Sequence, residues 1–90
     1  MYQLVIRSEV PDEMANAFDW YEVQRAGLGN KLMDEINYCL VKLSSHPQYY
    51  SYFNSQYRRI KLNRFPYYFL YEIQGDFVIV YQFYHAKQNR

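Results

Sequence analysis

Ninety residues, half of them hydrophobic, suit a single domain over 1–90 and leave no length for a catalytic domain beside a binding domain. A formal net charge of +1 argues against a uniformly basic nucleic-acid binder, and a lone cysteine, Cys39, excludes an internal disulfide. Twelve tyrosines and six phenylalanines offset the small size, because each ring removes roughly 150–250 Å² from water.

The charge is unevenly placed. Residues 1–56 carry four cations against seven acids, a net of −3, and residues 57–90 carry six against two, a net of +4, which together give +1. One basic and one acidic surface are expected, and the basic one can attract an acidic partner or a polyanion even on a nearly neutral chain. No apolar run reaches the length of a membrane span, and Met1-Tyr2-Gln3 enters a strand pattern without a basic n-region and h-region. With the unpaired cysteine, this points to a cytoplasmic protein with no membrane partner.

Tyr2 to Arg7, rich in Leu, Val and Ile, reads as a first strand. Pro11 followed by Asp12 and Glu13 marks a helix start, with proline in the first turn and acids at the positive end of the dipole. Met14, Ala17, Phe18 and Tyr21 recur at helical spacing and are expected to face the core, and the helix stops at Gly27. Leu28-Gly29-Asn30 is expected to form a tight connection into a second helix, which presents Leu32, Ile36, Leu40 and Leu43 on one face and ends at His46-Pro47. So short a link implies an antiparallel helical hairpin.

Pro47 to Gln56 has no sustained period and reads as a loop with its rings tucked against the domain. From Tyr57 to Ile73 charge and aromatic rings concentrate together. Arg58, Ile60 and Leu62 alternate with Arg59, Lys61 and Asn63 at the period of a strand, Pro66 turns a corner, and Tyr67 to Ile73 forms the next strand. Gln74-Gly75-Asp76 is a hairpin turn. Phe77 to Tyr84 is almost wholly apolar, with Phe77, Ile79, Tyr81 and Phe83 on one face and Val78, Val80 and Tyr84 on the other, and reads as a strand buried on both sides. The order β-α-α-β-β-β defines an α+β domain, a helical hairpin packed on a mostly antiparallel four-stranded sheet. On it, the cations of β2 and the rings of the last two strands are expected to form one exposed platform that meets phosphate with charge and bases with rings. The plainer reading of the same residues is an edge strand solvated by its cations, with tyrosines as ordinary β-formers.

The chain resembles the RelE/ParE superfamily of bacterial toxins from type II toxin–antitoxin systems over nearly its whole length. The resemblance rests on Trp20-Tyr21, Gln24 and Gly27-Leu28-Gly29 around the helix link, Pro47 after the second helix, Arg58-Arg59, Arg64-Phe65-Pro66-Tyr67 and Tyr71 on the central strands, and His85 closing the last strand. It implies a RelE/ParE-like fold and a small cytoplasmic toxin held inactive by a cognate antitoxin. One branch of the superfamily cleaves messenger RNA on the ribosome and another poisons DNA gyrase.

Metal-independent RNA cleavage needs proton transfer at a 2′-hydroxyl and its leaving oxygen, and stabilisation of the added charge on phosphate. His85 has the pKa for proton transfer near neutrality. Arg59, Lys61 and Arg64 are the candidate phosphate clamps, and Tyr71 is the candidate to stack a base or orient its phosphate. Arg58, Arg59, Lys61, Arg64, Tyr71 and Lys87 are the candidates to bind target or RNA. The plainer reading of His85 is a strand-end histidine bonded to backbone. His46 reads as a helix C-cap, Cys39 as a small buried hydrophobe, Trp20 as packing, and Glu72 as a possible base or salt-bridge partner. Asp34 and Glu35, adjacent on a helix, diverge and suit a solvated or partner-facing surface rather than a carboxylate pair. No zinc-ligand spacing is present, and no metal or cofactor is expected.

Low net charge and the tail His85-Ala86-Lys87-Gln88 lean toward the gyrase-directed branch, a toxin that is not itself an enzyme. The alternatives are a ribosome-dependent endoribonuclease using His85 and the basic strands, and a non-toxic relative that retains only antitoxin binding. Each has an antitoxin as partner, with an acidic helix or strand over apolar and basic surface.

Overall fold

The computed structural model describes residues 1–87; Gln88, Asn89 and Arg90, which include the end of the tail considered above, lie outside them. The chain runs β1 (Gln3–Ile6), α1 (Glu9–Gln24), α2 (Leu28–Ser45), a single 3₁₀ turn (Pro47–Tyr49), β2 (Arg58–Lys61), β3 (Tyr67–Gln74) and β4 (Phe77–His85). The four strands make one sheet in the order β1-β4-β3-β2, with β1 parallel to β4 and the other pairs antiparallel. The expected α+β order is therefore the observed one.

Pro11 occupies the first turn of α1, where its missing N–H has no intrahelical acceptor to lose. Val10 and Ala17 are buried, whereas Met14, Phe18 and Tyr21 are half-buried, Met14 and Tyr21 against the core. The expected Leu28-Gly29-Asn30 connection is corrected: those residues form the first turn of α2, and the link is Arg25 to Gly27. Gly27 is the N-cap of α2, at φ +88°, a left-handed conformation that favours glycine. No side chain at the cap itself bonds to the helix, but the Glu22 carboxylate reaches across from α1 and accepts the N–H groups of Gly27 at 3.2 Å and Gly29 at 2.7 Å. An anion from one helix thus satisfies orphan donors at the positive end of the next.

β4 lies between β1 and β3, as its apolar composition requires, but its two faces are not those expected from alternation. Leu70 pairs with Gln82 while Tyr71 pairs with Val80, so Tyr81 is an extra residue, a β-bulge. The bulge resets the parity: Val78, Val80 and Phe83 share the helix-facing core, and Tyr84 turns to the opposite face beside Tyr68. Phe77, at the start of the strand, is exposed rather than buried.

The core fills the space between the hairpin and the sheet with Val10, Leu32, Ile36 and Leu43 against Ile60, Phe69, Tyr71, Val78, Val80 and Phe83. The segment before β2 is less irregular than expected. Asn54 Oδ1 accepts the N–H groups of Gln56 and Tyr57, each at 2.8 Å, and Tyr52 bridges antiparallel to Arg58. Tyr50 and Phe53 are half-buried, but Tyr49 and Tyr52 stand in solvent, so only some of its rings are tucked in.

Where α1 crosses α2, a Cβ on Gly29 would fall 2.8 Å from both the Phe18 ring and Glu22 Cγ. Gly29→Ala is expected to lower stability by about 1–3 kcal/mol through overpacking, read as a lower urea midpoint with the m-value unchanged.

Candidate functional site

The residues singled out by sequence fall into separate neighbourhoods, and the sheet stands between them. Arg59 and Lys61 pair with Leu70 and Tyr68 and project from the face away from the helices. Arg59 is held from several sides: its guanidinium lies 4.1 Å from the Tyr68 ring centroid and 4.7 Å from that of Phe53, and Nη1 donates to the Tyr84 hydroxyl at 3.2 Å. Its charge holds the 50–57 segment to the sheet. Lys61 is exposed, and its Nζ donates to the Leu62 carbonyl at 3.1 Å. Together with Tyr50, Tyr52 and Tyr68 these two cations line a shallow open depression.

Arg58 serves the edge of the sheet. Its Nη1 donates to the carbonyls of Tyr50 at 2.7 Å and Gln48 at 3.1 Å, and its guanidinium stacks 4.1 Å from the Tyr52 ring. These bonds, both from Nη1, anchor the chain leaving the 3₁₀ turn.

Tyr71 requires a correction. Expected to stack a base or orient its phosphate, it is 0% exposed, and its hydroxyl donates to the Pro47 carbonyl at 2.6 Å. It belongs to the core because residues 69, 71 and 73 face the helices, and its hydroxyl satisfies a carbonyl where α2 gives way to the 3₁₀ turn. Burial pushes its pKa well above the ordinary tyrosine value, further than the nearby Arg58 charge draws it back.

His85 lies on the helix side, with Phe83. It lines a depression with Glu13, Asn16 and Trp20 of α1, meets the Tyr67 ring edge-on at 5.1 Å, and accepts the Lys87 N–H at Nδ1, 3.0 Å away. That bond fits the strand-end histidine bonded to backbone. Glu13 is engaged too, accepting the Phe83 N–H at 2.9 Å just beyond the bulge. Trp20, expected as packing, is 58% exposed and touches Tyr21 edge-on. Lys87 is exposed beyond the end of β4.

Arg64 is at a third place, between β2 and β3, where Glu35 of α2 accepts its backbone N–H at 2.9 Å and its Nε at 3.2 Å. Glu35 is therefore a structural partner, and Asp34 beside it diverges toward solvent. Glu72 accepts the Tyr81 hydroxyl at 2.9 Å and Gln74 Nε2 at 3.0 Å, the role of a bonded acceptor rather than of a base. His46 is the C-cap residue of α2, as expected. Among the described residues no group of three His, Cys, Asp or Glu is placed to share a metal ion.

The sequence reading missed an exposed apolar line on α2, Tyr38 and Val41, continued by Tyr49. The signal was present: positions 38 and 41 are large and apolar yet fall off the stripe formed by Leu32, Ile36, Cys39 and Leu43.

No family model matches the sequence, and no curated protein matches it. The fold has a counterpart among solved structures: a chain of the chromosomal ParDE TA system from P. aeruginosa aligns with a TM-score of 0.84 over 97% of this chain and 98% of that chain, at 14% sequence identity. The likeness establishes a ParE-like α+β fold.

Cys39 is buried, as expected, and burial pushes its thiol up to about 11, ahead of the opposing effect of Lys42. Both Cys39 and Tyr71 are acids with folded pKa values raised above their unfolded values. Their contribution to stability is complete below the unfolded values and is lost as pH rises through the folded ones, because the unfolded chain releases its protons first. Urea midpoints are expected to fall between about pH 9 and 11, with a shallower slope in Cys39→Ala.

Proposed function

We propose that this chain is the toxin of a type II toxin–antitoxin pair, acting in the cytoplasm, with DNA gyrase as its target. The observation that carries the proposal is the end-to-end agreement of the fold with a chain of the ParDE TA system. The absence, among the described residues, of a helix long and apolar enough to cross a membrane is compatible with that location.

Gyrase is favoured over the ribosome by the placement of the candidate catalytic groups. A ribonuclease needs its proton-transfer groups and phosphate clamp around one scissile bond, within hydrogen-bond reach of the reacting atoms. Here His85 is on the helix side of the sheet, Arg59 is stacked between rings on the other side, Arg64 is paired with Glu35, and Tyr71 is inside. A binding function makes no such demand, and a net charge of +1 suits a protein target better than a polyanionic one. Of the selected side chains, Lys61, Lys87 and the largely exposed Arg64 are the ones accessible to a target.

Expression of the chain alone is expected to arrest growth, with supercoiling by purified gyrase inhibited and transcripts in a translating extract left intact. His85→Ala is expected to change inhibition less than about twofold, since a histidine bonded to backbone contributes no chemistry to it. Transcript cleavage abolished by His85→Ala would overturn the gyrase assignment in favour of a ribonuclease. Unimpaired growth would reduce the chain to a non-toxic, antitoxin-binding relative.

A further inference from the structure

We propose that β1 pairs antiparallel with β1 of a second copy of the chain, with Val5 on the two-fold axis, so that the two sheets become one. The pairing belongs to the free edge of the sheet and does not rest on the toxin reading above.

The two edges of the sheet differ in how they are protected. Along β2 the edge is closed: Tyr52 bridges Arg58, the Arg59 N–H donates to the Ser51 carbonyl at 3.2 Å, and the strand carries Arg58, Arg59 and Lys61. Covering segments and edge cations are what keep an edge strand from pairing with another chain. β1 has neither. Gln3–Ile6 contains no charge and no proline, and among the described residues no strand pairs with its outer side.

The direction of its backbone groups follows from the bonds already made. Gln3 and Arg7 donate their N–H groups toward β4, to the carbonyls of Asp76 at 2.9 Å and Val80 at 3.0 Å. Successive residues of a strand point these groups to alternate sides, so the N–H and C=O groups of Leu4 and Ile6 face outward, where a partner strand can meet them in register. The side chains of Leu4 and Ile6 pack on the core. On the opposite face Val5 is 40% exposed beside Ile79, and Phe77, paired with Gln3, is 45% exposed. An apolar strip thus runs to the edge of the sheet and stops there.

The strand is complementary to itself. With Val5 opposite Val5, Leu4 of one copy meets Ile6 of the other, and each such pair exchanges both of its N–H···O bonds. The valine contact joins the Phe77, Val5 and Ile79 patches of the two copies. At both ends Arg7 falls opposite Gln3 of the other copy, next to Asp76, whose carbonyl holds that Gln3 N–H. Arg7 and Asp76 are exposed, and neither is in an ion pair among the described residues. Opposite charges therefore face each other twice across the axis. A strand of unrelated sequence would share only the hydrogen bonds, whereas the two-fold supplies the valine contact and the charge pairs as well. Because β2 is closed, the pairing uses one edge of each copy and ends at a dimer rather than a filament.

Sedimentation equilibrium of the intact chain over about 1–200 µM is expected to show a reversible monomer–dimer equilibrium. Amide exchange at Leu4 and Ile6 is expected to slow in proportion to the fraction dimerised, while Val5, whose N–H points toward β4, does not change. Val5→Lys sets two ammonium groups against each other on the axis and is expected to weaken the dimer about fivefold or more. Arg7→Glu and Asp76→Arg are each expected to weaken it about threefold or more, because each contact occurs twice. Combined in one chain they restore the charge pair, and the dissociation constant is expected to return to within about twofold of the original, a recovery that misfolded variants would not produce.

A monomer throughout that range would overturn the proposal. So would a dimer whose Leu4 and Ile6 amides exchange as in the monomer, a dimer indifferent to Val5→Lys, or a double charge swap that recovers nothing. Protection of Leu4 and Ile6 seen only after another protein is added would reassign the edge to a strand of that protein. An unchanged urea midpoint for Val5→Lys shows that its fold is intact, and the charge swap tests the same interface where that midpoint moves.

Discussion

Each side chain on β2, β3 and β4 is committed to one face of the sheet by the two-residue period of a strand, and the helical hairpin occupies one of those faces. Phe69, Tyr71, Val78, Val80 and Phe83 go to the hairpin, while Arg59, Lys61, Tyr68, Leu70 and Tyr84 go to the other side. Among the described residues nothing charged is buried, so neither face depends on an interior ion pair there. The division decides which chemistry is possible, because two groups on opposite faces are separated by a packed sheet.

The bulge at Tyr81 sets the position of His85 within that division. Unbroken alternation from Ile79 would put Tyr81, Phe83 and His85 on the outer face, near Arg59 and Lys61. One inserted residue sends Phe83 into the core and His85 to α1, and Glu13 accepts the Phe83 N–H where the ladder is disturbed. The bulge thus separates the histidine from the arginine that RNA cleavage would require beside it. It also brings Tyr84 to the Arg59 guanidinium, so the outer face gains a structural clamp instead of a catalytic base.

Much of the architecture is legible in the sequence. Pro11, His46-Pro47, Pro66 and Gly75 punctuate the chain, and the helical and strand periods between them give the element order. The site is less legible, for identifiable reasons. Alternation along Phe77 to Tyr84 carries no mark of a bulge, since apolar residues occupy nearly every position on either register. The sequence holds no sign that Tyr71, with its hydroxyl, faces inward, because the acceptor that permits it is the Pro47 carbonyl, 24 residues away. Arg58 and Arg59 read as free cations because their partners, the carbonyls of Gln48 and Tyr50 and the rings of Tyr52 and Phe53, come from a segment without periodicity.

These arginines bear on function through what they leave unoccupied. Arg58 and Arg59 each commit Nη1 to a protein acceptor and lay the guanidinium against aromatic rings, so both are held in place while keeping their charge. The lysines are strongly hydrated point charges on flexible stems; Lys31 and Lys42 belong to α2, while Lys61, at the end of the edge strand, borders both the groove beside α2 and the depression on the outer face of the sheet. The cationic excess of this chain is thus divided, with Arg58 and Arg59 fixed against the segment before β2 and Lys31, Lys61 and Lys87 standing in solvent.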